Sequence, residues 1–192
     1  MELISLDEVD RLIQILESIL SPTSECRQQR EIEVTHLKET RPNELACAFL
    51  KILEFPSSAP VKTLVCVLLR QYLSHYSPAC IWPRLAQPVQ ESLKSQLLER
   101  ARSEPDLTVR RRVCEVVSVL AITAAHRSPE QPWPELMEFL MSSLLSVDEL
   151  QLVAGLYTLA GLCPHFHEQL LLEKDTLLEV FLHNLNSPWP RV

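Results

Sequence analysis

Apolar residues recur along this chain at intervals of three and four, in stretches of about 12 to 22 residues that short polar breaks separate. This interval places them on one face of an α-helix. The first stretch shows the pattern clearly, with Leu6, Val9, Leu12, Ile13, Leu16, Ile19 and Leu20 as its apolar positions. The 14 prolines fall in the breaks or just inside a helix start. Because a proline in a helix interior costs about 3 kcal/mol, this distribution predicts a series of short antiparallel helices.

Two segments carry the pattern of a capping box, in which a serine and a glutamate three residues later close the first turn of a helix. They are Ser5–Glu8 and Ser146–Glu149, and each predicts the start of a helix. Gly155 lies inside the helix that the second box would open. Since glycine costs about 1 kcal/mol there relative to alanine, we expect a neighbouring helix to pass close to it.

A second periodicity lies on top of the helical one. After a break marked by proline or serine, the same kind of dipeptide opens the second helix of a pair at positions 61–62, 109–110, 150–151 and 190–191. Lys62, Arg110, Gln151 and Arg191 are therefore 48, 41 and 40 residues apart. A two-helix repeat of about 40 to 47 residues is typical of HEAT and armadillo solenoids.

The predicted fold is an all-α, right-handed HEAT-repeat superhelix of about four and a half repeats, forming one domain over residues 1–192. The repeats cover approximately residues 5–40, 43–76, 78–127, 132–162 and 164–192, the last one incomplete. In the first repeat, the more polar second helix has Ile32, Val34 and Leu37 as candidate core residues. Because the final helix begins and then stops, the sequence predicts a truncated form or the N-terminal part of a longer protein.

Composition narrows the class of protein further. Hydrophobic residues make up 46% of the chain and aromatic residues only 6%, which suits stacked helices better than a sheet sandwich. The net charge of −7 argues against non-specific binding to nucleic acid. The six cysteines form no C-x-x-C pair, which favours a reducing compartment. The apolar runs are shorter than the roughly 20 residues of a membrane span, so we expect no membrane insertion.

Motifs for catalysis are absent from the sequence. There is no glycine-rich phosphate loop, nucleophile elbow or zinc-protease motif, and the prediction is a protein without enzymatic activity, cofactor or metal. Cys163–His167 brings three potential metal ligands together, but a zinc site usually has four, so we expect a turn between helices there. Trp82, Trp133 and Trp189 each lie near prolines, and they either dock a partner or fill the seams between repeats.

Three consecutive arginines, Arg110, Arg111 and Arg112, begin the second helix of the third repeat. They form either a patch that contacts a partner or a partly structural group in which one arginine hydrogen-bonds an adjoining repeat. Three arginines near the positive end of a helix dipole are mildly unfavourable, so we expect a compensating contact.

Several segments resemble importin-beta-type nuclear transport receptors in their order and spacing. The first three are Leu68–Leu73 (LLRQYL), Ile81–Pro83 (IWP) and Val89–Leu98 (VQESLKSQLL). Val109–Val116 (VRRRVCEV) and Gln131–Leu140 (QPWPELMEFL) are most similar to the importin beta-3 branch of that family. The resemblance extends over most of the chain and is carried by the N-terminal repeats of the family.

This resemblance implies a receptor that binds the GTPase Ran in its GTP form, protein cargo and nucleoporins, and that moves between cytoplasm and nucleus. The family's Ran-contacting positions on the inner helices correspond here to Arg70, Gln71, Arg110 and Arg111. Two other functions stay open at this point. One is a HEAT scaffold or regulatory subunit of a protein complex, and the other is a truncated isoform with little transport activity.

Overall fold

The computed structural model describes residues 4–21, 24–127, 133–166 and 174–185. Within these ranges nine α-helices and one short 3₁₀ turn follow one another, and no β-strand occurs. The helices are α1 (Leu6–Leu20), α2 (Ser24–Thr40), α3 (Pro42–Glu54), α4 (Ala59–Leu73), α5 (Gln87–Ser103), α6 (Leu107–Arg127), α7 (Pro134–Leu144), α8 (Glu149–Leu162) and α9 (Lys174–Leu185). The 3₁₀ turn, Trp82–Arg84, lies between α4 and α5. The predicted all-α class is confirmed.

The capping box predicted at the start of α1 is present. The N–H of Glu8 donates to Ser5 Oγ at 3.3 Å, and the Ser5 N–H donates to Glu8 Oε2 at 3.1 Å. The side chain of each residue therefore accepts the backbone N–H of the other, so two N–H groups at the helix start are paired.

The second predicted capping box is wrong, because Asp148 and not Ser146 caps α8. Asp148 Oδ1 accepts the N–H of Gln151 at 2.9 Å. The Ser146 N–H bonds back to the carbonyl of Ser143, so Ser146 belongs to the turn that ends α7. Its hydroxyl accepts the N–H of Asp148 at 3.1 Å and supports the cap without forming it.

The helices pack in two layers from the second pair onward. The second helices of the pairs, α4, α6 and α8, lie side by side, and among the first helices α3 packs against α5. Each first helix also packs against the second helix of its own pair. This side-by-side arrangement buries one continuous apolar core between the layers.

Hydrogen bonds between pairs report the length of the repeat. Within the described ranges, the long-range side-chain hydrogen bonds join residues 40 to 49 positions apart, except for one of 33 positions that joins Arg41, at the start of α3, to Glu8 on α1. A tetratricopeptide repeat has a period of about 34 residues, whereas a HEAT repeat has about 40 to 47. The separations therefore support HEAT repeats.

Three of the four repeat-opening residues meet near the turn between α5 and α6. Lys62 Nζ lies 3.1 Å from Glu104 Oε2, and Arg110 Nε donates to the Glu104 carbonyl at 2.6 Å. Gln151 Nε2 donates to the carbonyl of Arg102 at 2.7 Å. These positions of α4, α6 and α8 therefore line one edge of the stack. The fourth residue, Arg191, lies outside the described residues.

The first pair departs from the predicted arrangement. Helix α1 packs against α3 and α4, while α2 packs against α1 and α3. The neighbour of α4 on this side is thus α1 and not α2. The expected core position Ile32 is also wrong, since its side chain is 55% exposed, whereas Val34 is buried. Only a narrow strip of α2 is apolar, and it is not wide enough to include Ile32.

Close helix contacts explain the two glycines. A Cβ atom on Gly155 would lie 3.0 Å from Ser143 Cβ and 3.1 Å from the backbone nitrogen of Leu144, which confirms the expected approach of a neighbouring helix. A Cβ atom on Gly161 would lie 2.5 Å from Ser118 Oγ. Trp82 is fully buried, so for this residue the structure favours the seam over the docking role.

Candidate functional site

A cluster of charged side chains lies on the face of the second-helix layer that points away from the first helices. Of the four residues expected to contact a partner, Arg70, Gln71 and Arg111 are exposed on this face of α4 and α6. They are accessible to a partner in the positions that the structure gives them. We call Arg70, Arg111, Arg112 and Glu115 the arginine cluster.

Glu115 lies at the centre of the arginine cluster. Its carboxylate is 2.8 Å from Arg70 Nη1 across the α4–α6 contact and 2.9 Å from Arg112 Nη1 within α6. Arg111 Nε is more distant, at 3.6 Å. One carboxylate is therefore within ion-pair distance of three guanidinium groups. The pair with Arg70 connects two successive repeats.

Arg111 extends the cluster toward the next repeat. Its guanidinium carbon lies 4.8 Å from the ring centroid of Tyr157 on α8, within the range of a cation–π contact. Since Arg70 is on α4 and Tyr157 on α8, the site spans the second helices of three successive pairs. An extended partner surface can therefore contact all three repeats at once.

Arg110 does not belong to this surface, and its expected contact with a partner is not supported. The residue is 3% exposed, and burial lowers the pKa of its guanidinium. Its Nε bonds the Glu104 carbonyl, while its Nη1 is buried without a hydrogen-bond partner. Successive residues of a helix point about 100° apart, so the Arg110 side chain points into the helix layer whereas the Arg111 side chain points to solvent. Its role is structural, at the edge where the repeats meet.

The sequence prediction missed two members of the site, Glu115 and Tyr157, which were not singled out. Arg112 was considered only as part of the arginine run and was not among the four residues expected to contact Ran. The spacings Arg111–Glu115 and Arg112–Glu115 are the i,i+4 and i,i+3 spacings of helical ion pairs. That local signal was available in the sequence, whereas the contacts with Arg70 and Tyr157 depend on helix packing.

The chemistry of the site is that of binding. Arginine side chains offer forked N–H donors that match carboxylate oxygens, and Gln71 adds an amide. Among the residues that the structure describes, no group of three histidine, cysteine or acidic side chains could hold a metal ion. Within the same ranges, no helix combines the length and the apolar character that crossing a bilayer requires.

A pocket of about 370 Å³ lies apart from the arginine cluster, between α1, α2 and α3. Its wall is mainly apolar and includes Leu12, Ile15 and Leu45. Charged residues at its rim, such as Arg41 with Glu8, pair with each other. The pocket therefore shares no side chain with the arginine cluster, and the candidate site does not include it.

Comparisons with known proteins agree with the geometry. A family model described as "IPO5-like, TPR repeats" matches residues 105–192. A curated relative, the "Probable importin-5 homolog" of Dictyostelium discoideum, is 26% identical over an alignment of 174 residues that covers 85% of this chain. The alignment covers 16% of that relative, so this chain spans about one sixth of its length.

A solved structure gives the same answer for the fold. The chain matches "Crystal structure of Kap121p bound to RanGTP" with a TM-score of 0.68 and 22% sequence identity. The match covers 82% of this chain and 14% of the solved one. The HEAT-type fold is thereby confirmed, while the family model and the curated relative agree with the family resemblance that the motifs predicted.

Proposed function

The chain is similar to the HEAT-repeat region of importin-beta-type transport receptors, and we propose that it binds the GTPase Ran in its GTP form as part of protein import into the nucleus. The proposed contact surface is the exposed face of α4, α6 and α8, with Arg70, Gln71 and Arg111 as its central residues. The proposed function consists of binding and includes no catalytic step. We also propose protein cargo and nucleoporins as partners of this chain, and the cytoplasm and nucleus as the compartments in which it acts.

The observation that carries this proposal is the position of the arginine cluster. Arg70 and Arg111 are exposed on adjacent second helices and are oriented by the shared Glu115. A surface that is already ordered loses less conformational entropy when a partner binds. The solved structure with the matching fold is that of Kap121p bound to RanGTP, and Ran is therefore the partner tested first.

A pull-down with Ran in two nucleotide states tests the proposal. Immobilised chain is incubated with Ran that carries either a non-hydrolysable GTP analogue or GDP. We expect retention of the GTP form only, because Ran presents different surfaces in the two states. Equal retention of both forms, or retention of neither, would refute Ran-GTP binding by this chain.

Point variants locate the surface. Arg70→Glu and Arg111→Glu reverse exposed charges at the centre of the proposed contact, and each is expected to lower Ran-GTP retention. Arg27→Glu is the matched control, because Arg27 is also exposed and ion-paired, with Glu31 at 2.8 Å, but lies on α2. A loss of binding in Arg27→Glu as large as in Arg70→Glu would show that the second-helix layer is not the contact surface.

Affinity purification from cells distinguishes the transport function from the scaffold function, which the sequence left open as an alternative. Ran and nucleoporins among the retained proteins would support a transport function. Phosphatase, kinase or ligase subunits in their place would favour a scaffold that assembles an enzyme complex, since solenoids of one fold serve many partners.

A further inference from the structure

We propose that the arginine cluster binds an acidic segment of a protein partner, and that Glu115 occupies the cluster as an internal counter-ion until that segment arrives. The inference rests on the proposed function, because it specifies the chemistry of the surface that the partner contacts. What it takes from that function is only that a protein partner contacts this surface, and it does not require the partner to be Ran.

The first support is the charge balance within the cluster. Arg70, Arg111 and Arg112 surround a single carboxylate, that of Glu115. Two positive charges are in excess, and Arg111 directs part of its charge to the Tyr157 ring. One carboxylate cannot satisfy the fifteen N–H donors of three guanidinium groups. The cluster therefore keeps N–H groups that face solvent and can donate to further carboxylates.

The second support is the exposure of the four side chains. The arginine side chains at 70, 111 and 112 are 46%, 54% and 38% exposed, whereas the Glu115 side chain is 24% exposed. The carboxylate thus lies beneath the guanidinium groups. An approaching surface meets the arginines first, so an acidic group is attracted where a basic one would be repelled.

The third support is the distribution of charge over the whole chain. Of the six lysine or arginine residues of helices α4, α6 and α8, the four that are not buried are Arg70, Arg111, Arg112 and Arg127, and they outnumber the two acidic residues, Glu115 and Glu149. The chain as a whole has a net charge of −7. Positive charge is thus concentrated in the second-helix layer although the protein is acidic. Such a local basic surface attracts acidic partners and gives specificity and a faster association rate.

Fluorescence anisotropy with an acidic peptide tests the inference. The probe is a fluorescein-labelled peptide in which glutamate alternates with serine, and its control has glutamine at every glutamate position. We expect the acidic probe to bind the wild-type chain and the glutamine probe not to bind. Binding should weaken as NaCl is raised from about 50 to 300 mM, because salt screens partly exposed charges.

Three kinds of variant are expected to raise, lower or leave unchanged the Kd for the acidic probe. Arg70→Gln and Arg112→Gln should each raise the Kd for the acidic probe about twofold to fivefold, the range of partly exposed ion pairs. Glu115→Gln should lower the Kd by a similar factor, since it removes the competing carboxylate. Arg27→Gln, the same change on α2, should leave the Kd unchanged. Circular dichroism spectra establish that each variant is folded.

The outcome that separates this inference from a general basic surface is the Glu115→Gln result. Unchanged or weaker binding in that variant would overturn the counter-ion role, and so would an Arg27→Gln effect equal to that of Arg70→Gln. Failure of the wild-type chain to bind the acidic probe, or a preference for single-stranded RNA over the probe, would overturn the acidic-segment assignment. Ran-GTP binding is measured separately in the pull-down, so either proposal can fail while the other holds.

Discussion

The buried ion pair between Lys62 and Glu104 gives the sharpest test of how the repeats are held together. The pair joins α4 to the turn between α5 and α6, with a distance of 3.1 Å between Nζ and Oε2. The two side chains are only 11% and 3% exposed. The other carboxylate oxygen of Glu104 accepts the N–H of Asp106 at 3.2 Å. Both charges are thus largely removed from water and depend on each other.

Removal of one partner should cost far more than removal of both. A buried charge that loses its partner destabilises a protein by about 3 to 5 kcal/mol. We expect Glu104→Leu and Lys62→Met each to lower the free energy of unfolding by about 3 kcal/mol, the low end, because Lys62 retains some access to water. The double variant replaces the pair by apolar side chains and should lie within about 1 kcal/mol of the wild type.

Urea denaturation followed by circular dichroism measures the four free energies of this double-mutant cycle. For a chain of this length, a loss of 3 kcal/mol also lowers the melting temperature by about 6 to 12 °C. The exposed pair Arg27–Glu31, changed in the same way, is the control and should show a coupling energy below about 0.5 kcal/mol. If the losses of the two single variants simply add in the double variant, the pair is not coupled and the reasoning is wrong.

Three other predictions follow from the packing. Gly161→Ala should destabilise the fold despite the better helix propensity of alanine, because its Cβ would lie 2.7 Å from Ser118 Cβ; thermal melts of this variant and of Gly161→Ala with Ser118→Gly check whether relief of the contact restores stability. Burial lowers the pKa of His75 from its usual 6.5, so the folded state binds this proton less readily than the unfolded state. Protonation of His75 should therefore lower stability as the pH falls from about 6.5 toward 5, and His75→Gln should reduce that slope. Burial raises the pKa of Cys114 to about 11, so at pH 8 a disulfide reagent should react with the exposed Cys163 and not with Cys114; Cys163→Ser should remove one fast-reacting thiol and Cys114→Ser none.

Helix positions were predictable because their signals are local. The capping box at Ser5 and the apolar spacing after it fix the start of α1 without any reference to the rest of the chain. Proline at the first turn of α3 and α7 does the same. Asp148 shows the limit of this reasoning. Ser146 and Asp148 are both good N-cap residues, and the choice between them depends on how the last turn of α7 closes.

Helix orientation was harder to predict where a helix is apolar on most sides. Helix α6 buries twelve residues between Val109 and Ala124, and at about 100° per residue these positions cover more than half of its circumference. Arg110 lies among these positions and Arg111 lies beside them, so the sequence pattern alone leaves the boundary of the buried face undefined. Because α6 packs between α4 and α8, only a narrow strip of its surface stays exposed, and Arg110 lies outside that strip.

The arginine cluster shows how the repeat period itself predicts contacts. Arg70 and Glu115 are 45 positions apart, Arg111 and Tyr157 are 46, and the long-range hydrogen bonds of the later pairs span 40 to 49. In a solenoid each repeat contacts only its neighbours, so a residue on a second helix meets the residue about one period later in the chain. Arg70, Glu115 and Tyr157 therefore lie about one period apart on the second helices of three successive repeats. A search of the sequence for complementary side chains one period apart would have found Glu115, which the helical pattern alone did not reveal.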